Sequence, residues 1–169
     1  KAEIAPELAE SYTISDDQLT WTFTLRKGLK WSDGSDFKAS DIVSSWKRAA
    51  SEELGADYGF MYGIIEGYPA NMNITADDEN GVFTVKLAAP APYFKDLAAF
   101  PTFYPVKENV DSEGIWATKA ETNIGMGPFR MTAYKVDDVI SFEKNEYYWN
   151  VENVKLAGVN CYLAEDNAA

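Results

Sequence analysis

The sequence predicts an α+β fold in which short paired strands dominate and a few short helices cover them. Three observations predict it. Leu19, Trp21, Phe23 and Leu25 alternate with Thr20, Thr22, Thr24 and Arg26, the period of two expected of a strand with one buried face. From Ala39 the period lengthens, and Ile42, Val43, Trp46, Ala49 and Ala50 fall on one face of a helix. Two later stretches, 71–88 and 128–145, each read as two apolar alternations around a polar turn.

The elements follow in order. Residues 7–14 (ELAESYTI) begin a strand-like segment, and Asp16-Asp17-Gln18 turns the chain into the alternation of 19–26. Gly28 interrupts that strand and reads as a bulge. Asp33-Gly34 marks a turn, and the helix of 39–50 has Asp41 in its first turn and Lys47-Arg48 in its last, as the helix dipole favours. Residues 55–68 (GADYGFMYGIIEGY) are aromatic, glycine-rich and irregular, with room for a short helix. Gly59 and Gly63 match a GxxxG pattern that has meaning mainly inside membranes. In the first hairpin, Met72, Ile74 and Ala76 precede a turn through Asp78-Glu79-Asn80-Gly81, and Phe83, Val85 and Leu87 follow it. Pro90 and Pro92 break the chain, Tyr93 to Phe100 fits a short helix, and Pro101 and Pro105 enforce an extended stretch. Residues 107–124 are polar with scattered apolar anchors. The second hairpin places Phe129 and Met131 on one arm, Ile140 and Phe142 on the other, and Val136-Asp137-Asp138 at its tip. Val154 to Leu163 is the last strand, followed by an acidic tail.

The 169 residues suffice for one ordinary domain with a core, or a domain plus part of another. Residues 1–50 hold 7 basic and 8 acidic side chains, whereas 51–169 hold 8 basic and 19 acidic, so nearly all of the −12 net charge lies in the second part. A field of that sign repels nucleic acid and anionic lipid and favours cationic ligands. Its simplest role is a solubilising surface. The 24 aromatic residues (5 Trp, 10 Tyr, 9 Phe) exceed what a small core needs, so some should line a surface or groove.

The residue types needed for most chemistry are missing. With no His, neither a Ser-His-Asp nor a Cys-His nucleophile can form within the chain, and the commonest zinc sites are excluded. Cys161 is the sole Cys; it forms no intrachain disulfide and reads as a small buried strand residue. Asp77-Asp78-Glu79 lacks the ligand spacing of a calcium loop and reads as a solvated turn. Gly125-Met126-Gly127 is half a dinucleotide fingerprint, but Pro128 and a strand follow where a helix is required, so it reads as a tight loop. Asn73-Ile74-Thr75 matches a glycosylation acceptor, a pattern short enough to arise by chance. Among 27 acids no pair stands out for glycoside cleavage. The expectation is binding rather than catalysis: no catalytic residue, no metal and no cofactor.

Four blocks, in order, resemble the extracellular solute-binding proteins of peptide ABC importers, the oligopeptide- and dipeptide-binding family. The first is Pro6-Glu7-Leu8-Ala9-Glu10-Ser11 with Ser15-Asp16-Asp17. The second is Trp21-Thr22-Phe23-Thr24-Leu25-Arg26-Lys27-Gly28-Leu29-Lys30-Trp31-Ser32-Asp33-Gly34, running on to Ala39-Ser40-Asp41-Ile42-Val43 and Ser45-Trp46-Lys47-Arg48. The third is Phe83-Thr84-Val85-Lys86-Leu87 with Pro90-Ala91-Pro92-Tyr93-Phe94. The fourth is Gly125-Met126-Gly127-Pro128-Phe129 with Phe142-Glu143-Lys144-Asn145-Glu146-Tyr147-Tyr148-Trp149.

The resemblance implies a type II-like periplasmic-binding-protein fold with a mixed sheet and short helices. Residues 1–108 would be its additional domain and 109–169 a returning segment of its first lobe, so that the chain is a fragment without a complete pocket. On that reading Leu25 to Gly34 is scaffold of the additional domain. The resemblance also implies capture of short peptides outside the cytoplasmic membrane, delivery to a membrane permease, a monomer, and no part for nucleic acid. An anchoring lipid, if the receptor carries one, would sit on a Cys upstream of Lys1. One ligand contact is implied: a Tyr shortly after the Ser-Trp-Lys-Arg helix, matched by Tyr58, with Tyr62 as its rival. The alternatives are the same fold binding a nickel chelate, haem or oligosaccharide, and a non-catalytic interaction module.

Overall fold

The computed structural model describes residues 4–107 and 116–163. The chain divides into two compact units. One holds residues up to Lys27 and again from Lys38; the other combines Gly28–Phe37 with the described residues from 116 onward. The expected boundary at 108/109 and the acidic tail lie outside the described residues. The placement of Gly28–Phe37 departs from the scaffold role expected for Leu25 to Gly34 in the first region: these ten residues pack with the second unit.

In the first unit, β1 (Ala9–Ile14), β2 (Thr20–Leu25), β3 (Ile74–Asp77) and β4 (Val82–Lys86) form one sheet in the order β1-β2-β4-β3. Every pairing in it is antiparallel, where a mixed sheet is expected: short turns join β1 to β2 and β3 to β4, and the two hairpins meet through an antiparallel β2–β4 pair. The register sets Tyr12 opposite Phe23 and Ile14 opposite Trp21, then Trp21 opposite Val85 and Phe23 opposite Phe83. Alternation therefore gathers these apolar side chains on one face. Helix α1 (Ala39–Ala50) and the short helix α2 (Phe94–Ala98) cover it. Asp41 and Asp78 fix the start of α1: the Lys38 N–H donates to the Asp41 carboxylate at 2.8 Å, and the Ser40 N–H and hydroxyl donate to Asp78 at 2.8 and 2.7 Å. The solvated turn expected at Asp78 is thus a helix cap in part. Trp46 lies at the centre of the core, edge-on to Phe83 and Phe103 with ring centres 4.8 and 5.1 Å away.

Pro101 opens a 3-10 turn over Pro101–Phe103 instead of an extended run, since its fixed φ suits the first position of such a helix. Three side chains lace this segment down. The Trp46 indole N–H donates to the Phe103 carbonyl at 2.9 Å, the Ser45 hydroxyl to that of Val106 at 2.9 Å, and the Tyr62 hydroxyl to that of Thr102 at 2.7 Å.

The second unit has a three-stranded antiparallel sheet, β5 (Phe129–Lys135), β6 (Val139–Lys144) and β7 (Gly158–Tyr162), in that order. Its hairpin tip carries Asp137 at φ 57°, the left-handed turn conformation that Asp tolerates. Cys161 lies in β7 as expected, but it is exposed, not buried. It sits on an edge strand whose residues are exposed except for the half-buried Val159. Gly28–Phe37 folds into a tight hairpin of its own. The Trp31 N–H bonds the Ser35 carbonyl at 2.9 Å, and the Phe37 N–H bonds that of Leu29 at 3.0 Å. Gly28, at φ 71°, belongs to the turn leading into it and is not a bulge; the irregularity in pairing lies between Ala9 and Ser11. The hairpin is held to the loop before β5: the Ser32 N–H donates to the Gly125 carbonyl at 2.8 Å, and the Gly125 N–H to the Ser32 hydroxyl at 3.2 Å. That gives Gly125-Met126-Gly127 the tight-loop role expected of it.

Candidate functional site

The two tyrosines singled out by the sequence lie four residues apart, around one 3-10 helix, Gly59–Ile64. A 3-10 helix repeats every three residues, so Gly59, Tyr62 and Ile65 share one side. All three are buried. Gly59 lets the helix approach the end of α1; a Cβ there would stand 3.0 Å from the Ala49 carbonyl oxygen. Once Gly59 is turned inward, its neighbours Tyr58 and Phe60 must point away.

Tyr62 is therefore core. It is 0% exposed, its ring lies 4.5 Å from that of Phe103 and 5.6 Å from that of Trp46, and its hydroxyl is committed to Thr102. Burial pushes its phenol well above the ordinary range, so it stays neutral. In this structure it offers no surface to a ligand.

Tyr58 is 50% exposed and Phe60 67%. The Tyr58 ring meets Phe100 edge-on at 5.3 Å and Phe60 in a tilted arrangement at 6.3 Å. Phe100 comes from just after α2 and is held by its N–H bond to the Leu97 carbonyl at 2.8 Å. Three rings from two segments thus form one aromatic platform, with Tyr58 and Phe60 exposed and Phe100 half-buried beside them. The sequence singled out neither Phe60 nor Phe100. The signal that would have found Phe60 is the three-residue phase of Gly59, Tyr62 and Ile65, which leaves residue 60 outside. The signal for Phe100 was absent, because it depends on the fold of 94–103.

A second feature of the first unit is a cleft of about 330 Å³ at the β1 edge, lined by Tyr12, Ile14 and Trp21 on the sheet and Ala91, Pro92 and Lys95 opposite. It lies where the apolar sheet face runs past its helical cover. The Trp21 indole N–H is buried and has no hydrogen-bond partner among the described residues. Elsewhere the polar clusters satisfy themselves. Glu66 accepts from Asn73 at 2.7 Å and from Lys86 at 3.0 Å, and these bonds hold its carboxyl below the usual range. Asp77 is lowered in the same way by Asn80. Among the described residues no group of three His, Cys, Asp or Glu could hold a metal ion, and no helix is long and apolar enough to cross a membrane.

Comparison with known proteins agrees with this architecture. Residues 3–169 match the family model of bacterial extracellular solute-binding proteins, family 5. The chain belongs to that family. Among its relatives is the dipeptide-binding protein DppE of Bacillus subtilis, 35% identical over 97% of this chain and 32% of that protein. Among solved structures of the family's fold, the substrate-binding domain of an oligopeptide ABC transporter from Bacillus anthracis superposes with a TM-score of 0.88. It is 32% identical over 95% of this chain and 33% of that one. Listeria monocytogenes OppA, solved bound to peptide, has a TM-score of 0.86 and 30% identity over 95% of this chain and 34% of that one. The fold is that of the type II periplasmic-binding proteins. The chain spans about a third of the length of these relatives.

Proposed function

We propose that this chain is part of a longer receptor that captures short peptides outside the cytoplasmic membrane and hands them to the permease of an ATP-driven importer. The observation that carries the reading is the unbroken family match over 3–169, with peptide-binding proteins among the relatives. In this reading the unit built from β1–β4 and α1 is the additional domain, and the β5–β7 unit is a returning segment of the first lobe. The receptor acts as a monomer, binds no nucleic acid and performs no catalysis.

The physics of such a receptor suits the residues. A binder of varied peptides holds the ligand backbone by hydrogen bonds and leaves side chains in roomy, wet pockets; it needs neither nucleophile nor metal. Tyr58 is the ligand contact in this reading, because it is exposed and fixed by two neighbouring rings. Tyr62, buried with its hydroxyl bonded to the Thr102 carbonyl, makes no ligand contact in this reading.

The test is mass spectrometry of the longer protein, purified natively and then denatured to release its ligand. A ladder of short peptides is expected. A nickel chelate, haem or oligosaccharide would keep the fold and overturn the ligand. An empty protein that binds no added peptide would favour the interaction-module reading. Within a peptide-binding receptor, Tyr58→Ala should weaken affinity by roughly tenfold, the loss of one buried aromatic contact.

A further inference from the structure

The aromatic platform has a charge environment that narrows what it can hold. Residues 49–85 contain no Lys or Arg and seven acids: Glu52, Glu53, Asp57, Glu66, Asp77, Asp78 and Glu79. Three of these are committed, Glu66 to Asn73 and Lys86, Asp77 to Asn80, and Asp78 to Ser40, and Glu79 lies in the turn between β3 and β4. The remaining three, Glu52, Glu53 and Asp57, lie in the exposed segment leading into Tyr58. Among the described residues Asp57 forms no ion pair and its carboxylate accepts no hydrogen bond.

Exposed aromatic faces carry partial negative charge and attract a cation placed over them, and arginine, being planar and weakly hydrated, stacks best. Nearby carboxylates deepen the same potential. Tyr58 and Phe60 present such faces beside the half-buried Phe100, and no cationic side chain of residues 49–85 occupies them. Resting on the peptide-capture reading above, we propose that this platform is a subsite for a basic side chain of the captured peptide. The rings stack the guanidinium or ammonium, and Asp57 with Glu52 and Glu53 supplies the counter-charge. Phe60 is then a specificity-determining residue of the additional domain.

The test uses the full-length receptor and tripeptides with free termini: trialanine, and alanine tripeptides carrying arginine, lysine, leucine or citrulline at each position in turn. Citrulline keeps the shape of arginine and removes its charge. At one position arginine should bind about two- to fivefold tighter than citrulline, the size of an exposed cation–π contact. Phe60→Ala should abolish that ratio, costing the arginine peptide more affinity than the citrulline peptide, and added salt should shrink the ratio in the unmutated receptor. Equal binding of arginine and citrulline at every position would overturn the subsite while leaving peptide capture intact. Equal losses for leucine and arginine in Phe60→Ala would also overturn it, by showing that the platform reads apolar area. If trialanine and every variant fail to bind, the peptide-capture reading fails first and the subsite with it.

Discussion

The two units of this chain solve the same problem with unequal means. The first stacks a four-stranded sheet against α1 and α2, and it holds 16 of the 20 buried apolar residues found among the described ones. The second has a three-stranded sheet and only Leu29, Trp31, Phe37 and Met131. Three of those four come from the ten-residue hairpin Gly28–Phe37, which lies far from the rest of the unit in sequence. The lesson is that the length of a segment says little about its share of a core. The first unit is a layered domain; the second relies on an insertion that the first lends it.

The comparison makes its largest prediction at the two central tryptophans. Trp46→Ala empties the middle of the first core and should cost about 3–5 kcal/mol, read by chemical denaturation of the 169-residue chain. Trp31→Ala should do similar damage to the second unit. Hydrogen exchange should show protection lost over 28–37 and 129–162 but kept over 39–50. Uniform loss across both units would mean that they unfold as one, and the contrast would fall. A smaller effect is expected at Gly34, whose φ is +86° and whose Cβ would stand 2.9 Å from the Tyr147 ring. Gly34→Ala should destabilise the second unit by about 1–3 kcal/mol. Unchanged exchange at β6 would show that Tyr147 moves aside freely.

Tyr62→Phe removes one buried hydrogen bond to Thr102 and should cost the first unit about 1 kcal/mol. In a peptide-binding receptor it should leave affinity nearly unchanged, unlike Tyr58→Ala; the reverse order would exchange the roles assigned to the two rings. The smallest effect concerns pH. Glu66 is held below its ordinary value of 4.5 by Asn73 and then Lys86, so the unfolded chain takes up its proton first. Its contribution is present above that value and is lost as the pH falls through the lowered one. The stability gap between the chain and Glu66→Gln should therefore narrow on acidification below about 4.5, and a gap that widens would contradict the assignment.

What the sequence disclosed divides along the same line. The strand at 20–25, helix α1, and the hairpins at 74–86 and 129–144 were legible, because alternation, helical period and turn residues are local signals. The membership of Gly28–Phe37 was not. Its partner Gly125 is 93 residues from Ser32, and nothing in the pattern of either announces the other. Cys161 misled for a related reason: its residue type predicts burial, but burial requires a covering layer that β7 lacks among the described residues. At the candidate site, the aromatic excess pointed to a surface role, and Tyr58 was found by resemblance. Which of Tyr58 and Tyr62 is exposed depends on the phase of a 3-10 helix, and the third ring, Phe100, needed the tertiary fold.

The Gly28–Phe37 hairpin also sets a timetable. A ribosome adding about 5–20 residues per second needs roughly 5–20 s to travel the 93 residues from Ser32 to Gly125. During that interval α1, β3, β4 and α2 are added to the β1 and β2 already made, while Trp31 and Phe37 have been synthesised and their docking loop has not. The growing chain thus carries an orphaned aromatic hairpin on a nearly finished domain, the kind of sticky segment a holdase chaperone grips. Closing the second unit waits on residues made long after Trp31 and Phe37, so it consumes a piece that has been held over while the first unit was built.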